Sequence, residues 1–142
     1  MKYYAVLDTN VLVSALMKRA SVPAAVLKHA SIVPLYNEGI FEEYEEVLRR
    51  DKFHFAEQDI QDMFDSIRER GIAVDAESVS DADFTDTEDV VFYEVVMEKR
   101  KTDEAWLVTG NIKHFPKEPF IVTPREMLDI IEGVHKRSTN DG

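Results

Sequence analysis

The segment Ala5–Leu16, with the sequence AVLDTNVLVSAL, constrains the fold more than any other part of this chain. It is a short apolar run that ends abruptly at Asp8 and resumes after Thr9 and Asn10. This pattern predicts a buried strand followed by a helix, with a carboxylate at the carboxyl end of the strand. Open α/β sheets bind ligands and metals at that edge. Capping of the following helix is the competing explanation for Asp8.

Strand-like and helix-like segments alternate along the rest of the chain. The predicted strands are Tyr3–Leu7, Ile32–Tyr36, Ile72–Val74, Ala105–Thr109 and Phe120–Val122. The predicted helices are Asn10–Lys18, Pro23–Ala30, Phe41–Arg50, Glu57–Arg70, Glu88–Lys99 and a last one from Pro124 to about Glu132. Such alternation is typical of an α/β fold whose parallel sheet is covered by helices on both faces. We therefore predict a single domain over residues 1–135 with about five parallel strands, and a polar tail over residues 136–142.

Capping signals support several of these boundaries. Ser21 followed by Pro23 is a typical helix start. Gly71 stands where a glycine often closes a helix. Thr123 and Glu126 have the spacing of a capping box, so the last helix is expected to begin there.

The charge of the chain is unusual for a protein that binds nucleic acid. Its net charge is −11, whereas phosphate contacts normally come from a basic surface. Some of its basic residues form three small clusters, which are Arg49, Arg50 and Lys52; Lys99, Arg100 and Lys101; and Lys113, His114 and Lys117. If the substrate is a polynucleotide, metal ions and these clusters must overcome an unfavourable overall field, so affinity without metal is expected to be poor.

Several classes of protein are disfavoured by composition. The chain has no cysteine and four scattered histidines, so disulfides and a zinc hydrolase site are not expected. The N-terminal apolar run is too short for the core of a signal peptide, and no apolar segment is long enough to cross a bilayer. We therefore expect a soluble cytoplasmic protein without a membrane partner.

Glu43 is separated from its acidic neighbours by helical geometry. At about 100° per residue, the apolar side chains of the helix over Phe41–Arg50 define one face, and Glu43 lies at its edge. Glu42 lies nearly opposite that face, and the glutamates at 45 and 46 are also displaced towards water. A carboxylate at the position of Glu43 could reach a cleft. A surface acid on a charged helix is the competing interpretation.

Asp89 begins the most apolar helix of the chain. Its neighbours three, four and seven residues later are Phe92, Tyr93 and Val96, so it shares a face that otherwise seeks the core. Burying a carboxylate there is costly unless it is paired or binds a metal. Capping of the helix is the alternative, but Asp86, three residues earlier, or Thr87 could supply that cap instead.

A fourth polar group follows the strand at residues 105–109, where Thr109 and Asn111 flank a glycine. Asn111 could cap the short turn that follows, or join the same pocket as the acids and orient a water. Three carboxylates from separate elements suit Mg²⁺ or Mn²⁺, which prefer oxygen ligands and activate water for attack on a phosphodiester. Asp8, Glu43 and Asp89 are the predicted ligands, and without a cation they would repel one another.

With these motifs in place, the chain resembles the PIN-domain family of metal-dependent ribonucleases. The similarity rests on AVLDTNVLVSAL, EEYEEVLRR, DTEDVVFYEVV and LVTGNIKHFP, in that order. Within that family it resembles in particular the prokaryotic PIN ribonucleases described as toxins of toxin–antitoxin pairs. The resemblance implies a three-layer α/β/α sandwich, with the acids at the carboxyl edge of the sheet. It also implies RNA cleavage that depends on Mg²⁺ or Mn²⁺, frequent homodimers and, often, inhibition by an antitoxin protein.

By position in these motifs, the resemblance makes Asp8, Glu43 and Asp89 the metal-binding acids. Asn111 falls where many members have a fourth aspartate, so it is expected to assist catalysis by hydrogen bonding. The residues expected to support the ligands are Thr9, Asn10, Asp86 and Thr109.

We therefore predict an endoribonuclease. A non-catalytic PIN-like module that binds RNA or protein is the main alternative, because one acid is replaced and the net charge is −11. A phosphoacceptor domain of the response-regulator type is disfavoured, since the strand at 32–36 is followed by Asn37 and Glu38 rather than by an aspartate.

Overall fold

A computed structural model describes residues 1–76 and 89–133. Within these ranges the chain forms one five-stranded, fully parallel sheet with the strand order β3-β2-β1-β4-β5. The strands are β1 Tyr3–Leu7, β2 Ile32–Tyr36, β3 Ile72–Ala73, β4 Ala105–Val108 and β5 Ile121–Val122. Each coincides with a predicted strand, although the last three are one residue shorter than expected. The predicted parallel α/β fold is confirmed.

The order of the strands places a reversal of direction at the centre of the sheet. The chain moves outward from β1 to β2 and β3, then crosses back to pair β4 with the other edge of β1 and continues to β5. The carboxyl ends of β1 and β4 therefore flank the point where the winding reverses. Ligands bind at such a switch point in open α/β sheets.

Six α-helices connect or follow these strands within the described residues. They are α1 Thr9–Met17, α2 Val22–Lys28, α3 Glu38–Leu48, α4 Glu57–Arg70, α5 Val90–Arg100 and α6 Pro124–Glu132. Crossovers between parallel strands are right-handed, so connections that move in opposite directions along the sheet lie on opposite faces. The result is the predicted α/β/α sandwich.

The largest difference from the prediction is the start of α3, which begins three residues earlier than expected. The Asn37 side chain caps it, with Oδ1 accepting a hydrogen bond of 2.9 Å from the Ile40 backbone N–H. Gly39 disfavours a helix on propensity alone, which is why the sequence pattern placed the start too late. The predicted caps of α2 and α6 are confirmed, including the reciprocal capping box of Thr123 and Glu126.

Gly71 follows α4 as predicted, but it does not take the left-handed conformation usual for a closing glycine. Its backbone is extended, with φ −100° and ψ −174°. A Cβ there would lie 2.4 Å from the Pro34 carbonyl oxygen and 2.5 Å from the Ile67 carbonyl oxygen. A side chain at position 71 would collide with the backbone of β2 and of α4, so glycine is needed there.

The core lies between the sheet and the apolar faces of all six described α-helices, and it includes Leu12 on α1, Val26 on α2 and Met127 on α6. On α4 the predicted face is confirmed, with Ile60, Phe64 and Ile67 buried and Met63 half-buried. In the part of the chain that is described, no single helix is long and apolar enough to cross a membrane, and only the bent pair α1 and α2 reaches the required length and composition together. The predicted tail over 136–142 and the domain boundary at 135 lie outside the described residues.

Candidate active site

Asp8 and Thr109 meet at the switch point because β1 and β4 are paired in register. Leu7 is the partner of Val108 in the sheet, and the Asp8 N–H donates to the Val108 carbonyl oxygen at 2.9 Å. The next residues, Asp8 and Thr109, therefore leave neighbouring strands side by side. The Thr109 hydroxyl donates a hydrogen bond of 2.7 Å to Asp8 Oδ2, although the two residues are 101 positions apart.

Asp8 has the capping role weighed from the sequence and keeps room for a further ligand. It caps α1, with Oδ1 accepting from the Thr9 N–H at 2.8 Å, and its residue is only 5% exposed. Oδ2 accepts from Thr109 and from Asn10 Nδ2, the latter at 3.1 Å. A carboxylate has about four acceptor positions. Three are used here by donors among the described residues, which leaves one on Oδ1 for a further ligand.

The surroundings of Asp8 disfavour its negative charge. Burial raises the pKa of the Asp8 carboxyl above its usual value, and hydrogen bonds from Thr109 and Thr9, together with His114, only partly oppose that rise. Burial, followed by the charge of Asp8, also raises the pKa of Tyr44. A cation at this carboxylate would relieve the cost of keeping it ionised.

Asn10 ties the ends of β1 and β4 together. Its Nδ2 donates to Asp8 Oδ2 and lies 3.5 Å from Thr109 Oγ1, while its Oδ1 accepts from the Gly110 N–H at 2.9 Å. The Asn111 N–H donates to Thr109 Oγ1 at 2.9 Å. Asn10 and Thr109 are thus brought to Asp8 as expected of supporting residues.

Unlike Asn10 and Thr109, Thr9 and Asn111 do not hydrogen-bond to Asp8 through their side chains. The Thr9 hydroxyl is buried and has no hydrogen-bond partner among the described residues, so Thr9 supports Asp8 through its backbone N–H. The Asn111 side chain is exposed and makes no capping hydrogen bond to the 3₁₀ turn Ile112–His114 within residues 89–133. The structure therefore does not support the capping explanation for Asn111, whose side chain faces solvent at the edge of the site.

Asp89 is the residue immediately before α5, and it is buried. Its side chain makes no capping hydrogen bond to α5, so the capping explanation is not supported for Asp89. His114 Nδ1 lies 3.3 Å from Asp89 Oδ2, within ion-pairing distance rather than aligned as a hydrogen bond. Asp86 and Thr87, the predicted alternative caps, lie outside the described residues.

His114 is the site residue that the sequence prediction missed. The four histidines were treated as scattered because none forms a metal-binding pair in sequence. The available signal was position, since His114 lies five residues after Thr109, in the turn that leaves β4 at the switch point. Only the fold reveals that this turn reaches the start of α5.

Glu43 is half-buried on α3, whereas Glu42, Glu45 and Glu46 are exposed, which agrees with the predicted helix face. Two contacts hold this part of α3 near the other acids. The buried Tyr44 hydroxyl donates to the Leu7 carbonyl oxygen at 2.5 Å, which joins the neighbour of Glu43 to the neighbour of Asp8.

The second contact lies one turn earlier on α3. A Cβ on Gly39 would lie 2.9 Å from Val91 Cγ2, so α3 crosses closely over the first turn of α5, two residues from Asp89. Since Glu43 is four residues after Gly39, it lies on the same side of α3.

The predicted ligands share one region without forming a closed cluster. Within residues 1–76 and 89–133, no three aspartate, glutamate, histidine or cysteine side chains lie close enough to hold one metal ion. Their chemistry nevertheless fits a hard divalent cation, because Asp8 offers a carboxylate oxygen whose charge is poorly stabilised by the protein alone.

A comparison with protein families decides the identity of this fold. The model of the PIN domain matches residues 4–113, which extend from β1 to the turn after β4. The chain belongs to the PIN-domain family. Neither a curated protein nor a solved structure matches it. PIN domains are generally nucleases that use divalent metals, so this PIN domain has a nuclease-type function, and its matched region includes Asp8, Glu43, Asp89 and Asn111.

Proposed function

We propose that this PIN domain is a divalent-metal-dependent endoribonuclease that hydrolyses RNA phosphodiester bonds. The observation that carries the proposal is the buried Asp8 carboxylate at the switch point, with a raised pKa and one acceptor position left for a ligand. Asp8, Glu43 and Asp89 would hold Mg²⁺ or Mn²⁺. The ion, when bound, supplies a water of lowered pKa and stabilises negative charge on the phosphate.

The remaining roles belong to residues of the chain itself. Thr109 and Asn10 fix the Asp8 carboxylate by donating to Oδ2, so that its other oxygen is presented in one orientation. Asn111 is exposed beside them, where its amide can hydrogen-bond the substrate. A neutral side chain at this position lowers the negative charge that an approaching phosphate meets.

Among the described residues, ion pairs occupy two of the three cations in each of the first two basic clusters. In the first cluster Arg49 pairs with Glu57 at 2.7 Å and Arg50 with Glu46 at 2.6 Å. In the second, Lys99 pairs with Asp103 and Lys101 with Glu98, both at 3.0 Å.

The third cluster differs from the other two. Lys113 and Lys117 are exposed and form no ion pair with any described residue. They flank His114 at the edge of the site. RNA phosphates are therefore expected to meet positive charge beside the acids, on the side where β4 ends.

A matched pair of glutamates tests the enzymatic assignment. Glu43→Gln is expected to remove RNA cleavage in the presence of Mn²⁺, because it takes away a proposed ligand. Glu42→Gln changes the adjacent exposed acid in the same way and is expected to cleave like the wild type. The measurement is cleavage of labelled single-stranded RNA with Mn²⁺ and with EDTA. Absence of wild-type cleavage with any divalent metal, or equal activity of the two variants, would reject the proposal.

The alternative is a PIN domain that binds RNA or protein without cleaving. It is favoured by Asn111 in place of an acid and by the open arrangement of ligands in the described residues. Calorimetric titration with Mn²⁺ separates the two, because a domain without catalysis should show no specific metal uptake.

The toxin assignment is a narrower proposal. It rests on the similarity of the motifs to toxin-type PIN ribonucleases, together with an expected antitoxin partner, a homodimer and a cytoplasmic location. A small adjacent reading frame whose product binds this chain and blocks cleavage would support it. Cleavage that is unaffected by the product of every neighbouring frame would count against it.

A further inference from the structure

We propose that His114 is a positioning residue for Asp89, whose buried carboxylate it holds in the orientation that binds the divalent metal ion. This inference rests on the proposed function, because it takes Asp89 as a metal ligand. His114 lies beside the proposed metal-binding acids, but it is not itself proposed as a metal ligand.

The two side chains meet at the boundary between the interior and solvent. His114 Nδ1 is 3.3 Å from Asp89 Oδ2, and the Asp89 side chain is 13% exposed while that of His114 is 44% exposed. The carboxylate is thus nearly enclosed, and the more exposed imidazole lies against it. A pair between exposed groups contributes little, but here one partner is desolvated, so its orientation depends more strongly on what contacts it.

The position of His114 is fixed by the same strand end that holds Asp8. Its N–H donates to the Asn111 carbonyl oxygen at 3.0 Å, which closes the 3₁₀ turn. The Asn111 N–H in turn donates to Thr109 Oγ1, the atom that contacts Asp8. The next residue, Phe115, is buried in the core and anchors the turn from the other side.

His114 therefore links two acids that arrive from distant parts of the chain. It contacts Asp89 at the start of α5 and is close enough to Asp8 to affect its carboxyl, where it opposes the rise in pKa. Carboxylates that bind metals are themselves held by hydrogen-bonding partners, and removing such a partner typically weakens metal affinity by about 10–100-fold. His114 occupies the position of such a partner, at ion-pairing distance from Asp89 Oδ2.

Four variants test this role through the affinity for Mn²⁺, measured by calorimetry on the full chain without RNA. His114→Ala is expected to weaken binding by about 10–100-fold. His114→Asn places an amide N–H where Nδ1 lies and is expected to restore most of the affinity. His114→Gln places its amide near Nε2 instead and is expected to remain weak. Lys18→Ala removes an exposed cation at the end of α1 that is opposite Asp8, and it is expected to bind like the wild type.

The outcomes separate this inference from the proposed function. A wild type that takes up no Mn²⁺ contradicts the proposed metal site, and the inference falls with it. A wild type that binds Mn²⁺ while His114→Ala binds equally well overturns the positioning role alone. Rescue by His114→Gln rather than by His114→Asn also overturns it, because the acting atom would then be Nε2. Urea unfolding of each variant verifies that the turn and the fold are intact.

Discussion

The junctions after β1 and β2 begin in the same way and differ in what they recruit. Each central strand is followed by a polar residue that caps the next helix, which is Asp8 for α1 and Asn37 for α3. Asn37 is neutral, and its side chain accepts a local hydrogen bond from Ile40. Asp8 is a buried acid, and it also accepts from Thr109, 101 residues away. The Asp8 side chain therefore joins two distant parts of the chain in addition to capping α1, whereas the Asn37 contact is local.

The largest expected difference between the junctions is in catalysis. Asp8→Asn keeps an efficient helix cap but removes the charge proposed to bind the metal. Cleavage of RNA with Mn²⁺ should fall by at least about 100-fold, or about 2.7 kcal/mol in activation free energy. A steady-state assay on purified protein measures this, and a variant that retains wild-type activity would remove Asp8 from the site.

Loss of the distant hydrogen-bond donor, the Thr109 hydroxyl, should lower the stability of the fold. Thr109→Val removes the hydroxyl that donates to the buried Asp8 carboxylate. We expect the free energy of unfolding to fall by about 1.5–3 kcal/mol, the usual range for a hydrogen bond to a charged group. Urea denaturation of the metal-free protein measures the change.

The control for that variant is Thr102→Val. The Thr102 hydroxyl donates to the exposed Asp103 carboxylate at 2.7 Å, so the same atoms are removed at the surface. Its effect is expected to stay within about 0.5 kcal/mol. Equal losses in both variants would show that the distance and burial of the Asp8 contact have no energetic consequence.

The junction after β2 should respond to mutation in stability alone. Asn37→Ala removes a local cap of α3 and is expected to cost about 1 kcal/mol in unfolding free energy. Because Asn37 touches none of the proposed ligands, RNA cleavage with Mn²⁺ should remain at the wild-type rate at a temperature where the variant is folded. A parallel loss of activity would mean that the two junctions are coupled.

The smallest expected effect is a difference in pH dependence. The folded state raises the pKa of Asp8, so it binds this proton more tightly than the unfolded chain does. Stability contributed by this group is therefore present at low pH and is lost as pH rises from the unfolded pKa, about 3.9, through the raised folded value. Subtracting the unfolding free energy of Asp8→Asn from that of the wild type at each pH isolates this trend. A difference that rises with pH would contradict the direction of the shift.

Sequence patterns predicted the elements better than they predicted contacts between them. The five strands and the capping box of α6 follow from local periodicity and side-chain chemistry, and they are confirmed. The start of α3 was wrong because the capping residue lies before an unfavourable glycine. Gly71 was correctly placed after α4 but for a different reason, since its need for glycine comes from the neighbouring strand.

The site shows the same division between local and distant information. Helical geometry correctly separated the half-buried Glu43 from its exposed neighbours. The contact of His114 with Asp89 depends on where the turn after β4 lies relative to α5, which no local pattern encodes. The availability of the basic residues is a second example, because only the fold shows that ion pairs occupy most of two basic clusters.

The buried hydrogen bond from Tyr44 to the Leu7 carbonyl has a consequence for the choice of ion. It joins the Tyr44 side chain of α3 to the β1 backbone beside Asp8, so it restrains how far the helix that carries Glu43 can move from Asp8. A rigid span favours an ion by its radius, and Mg²⁺ with its short bonds of about 2.0–2.1 Å differs sharply in this respect from Ca²⁺ at about 2.3–2.6 Å. In the proposed site, the buried Tyr44 hydroxyl would thus help to select the metal ion by its radius.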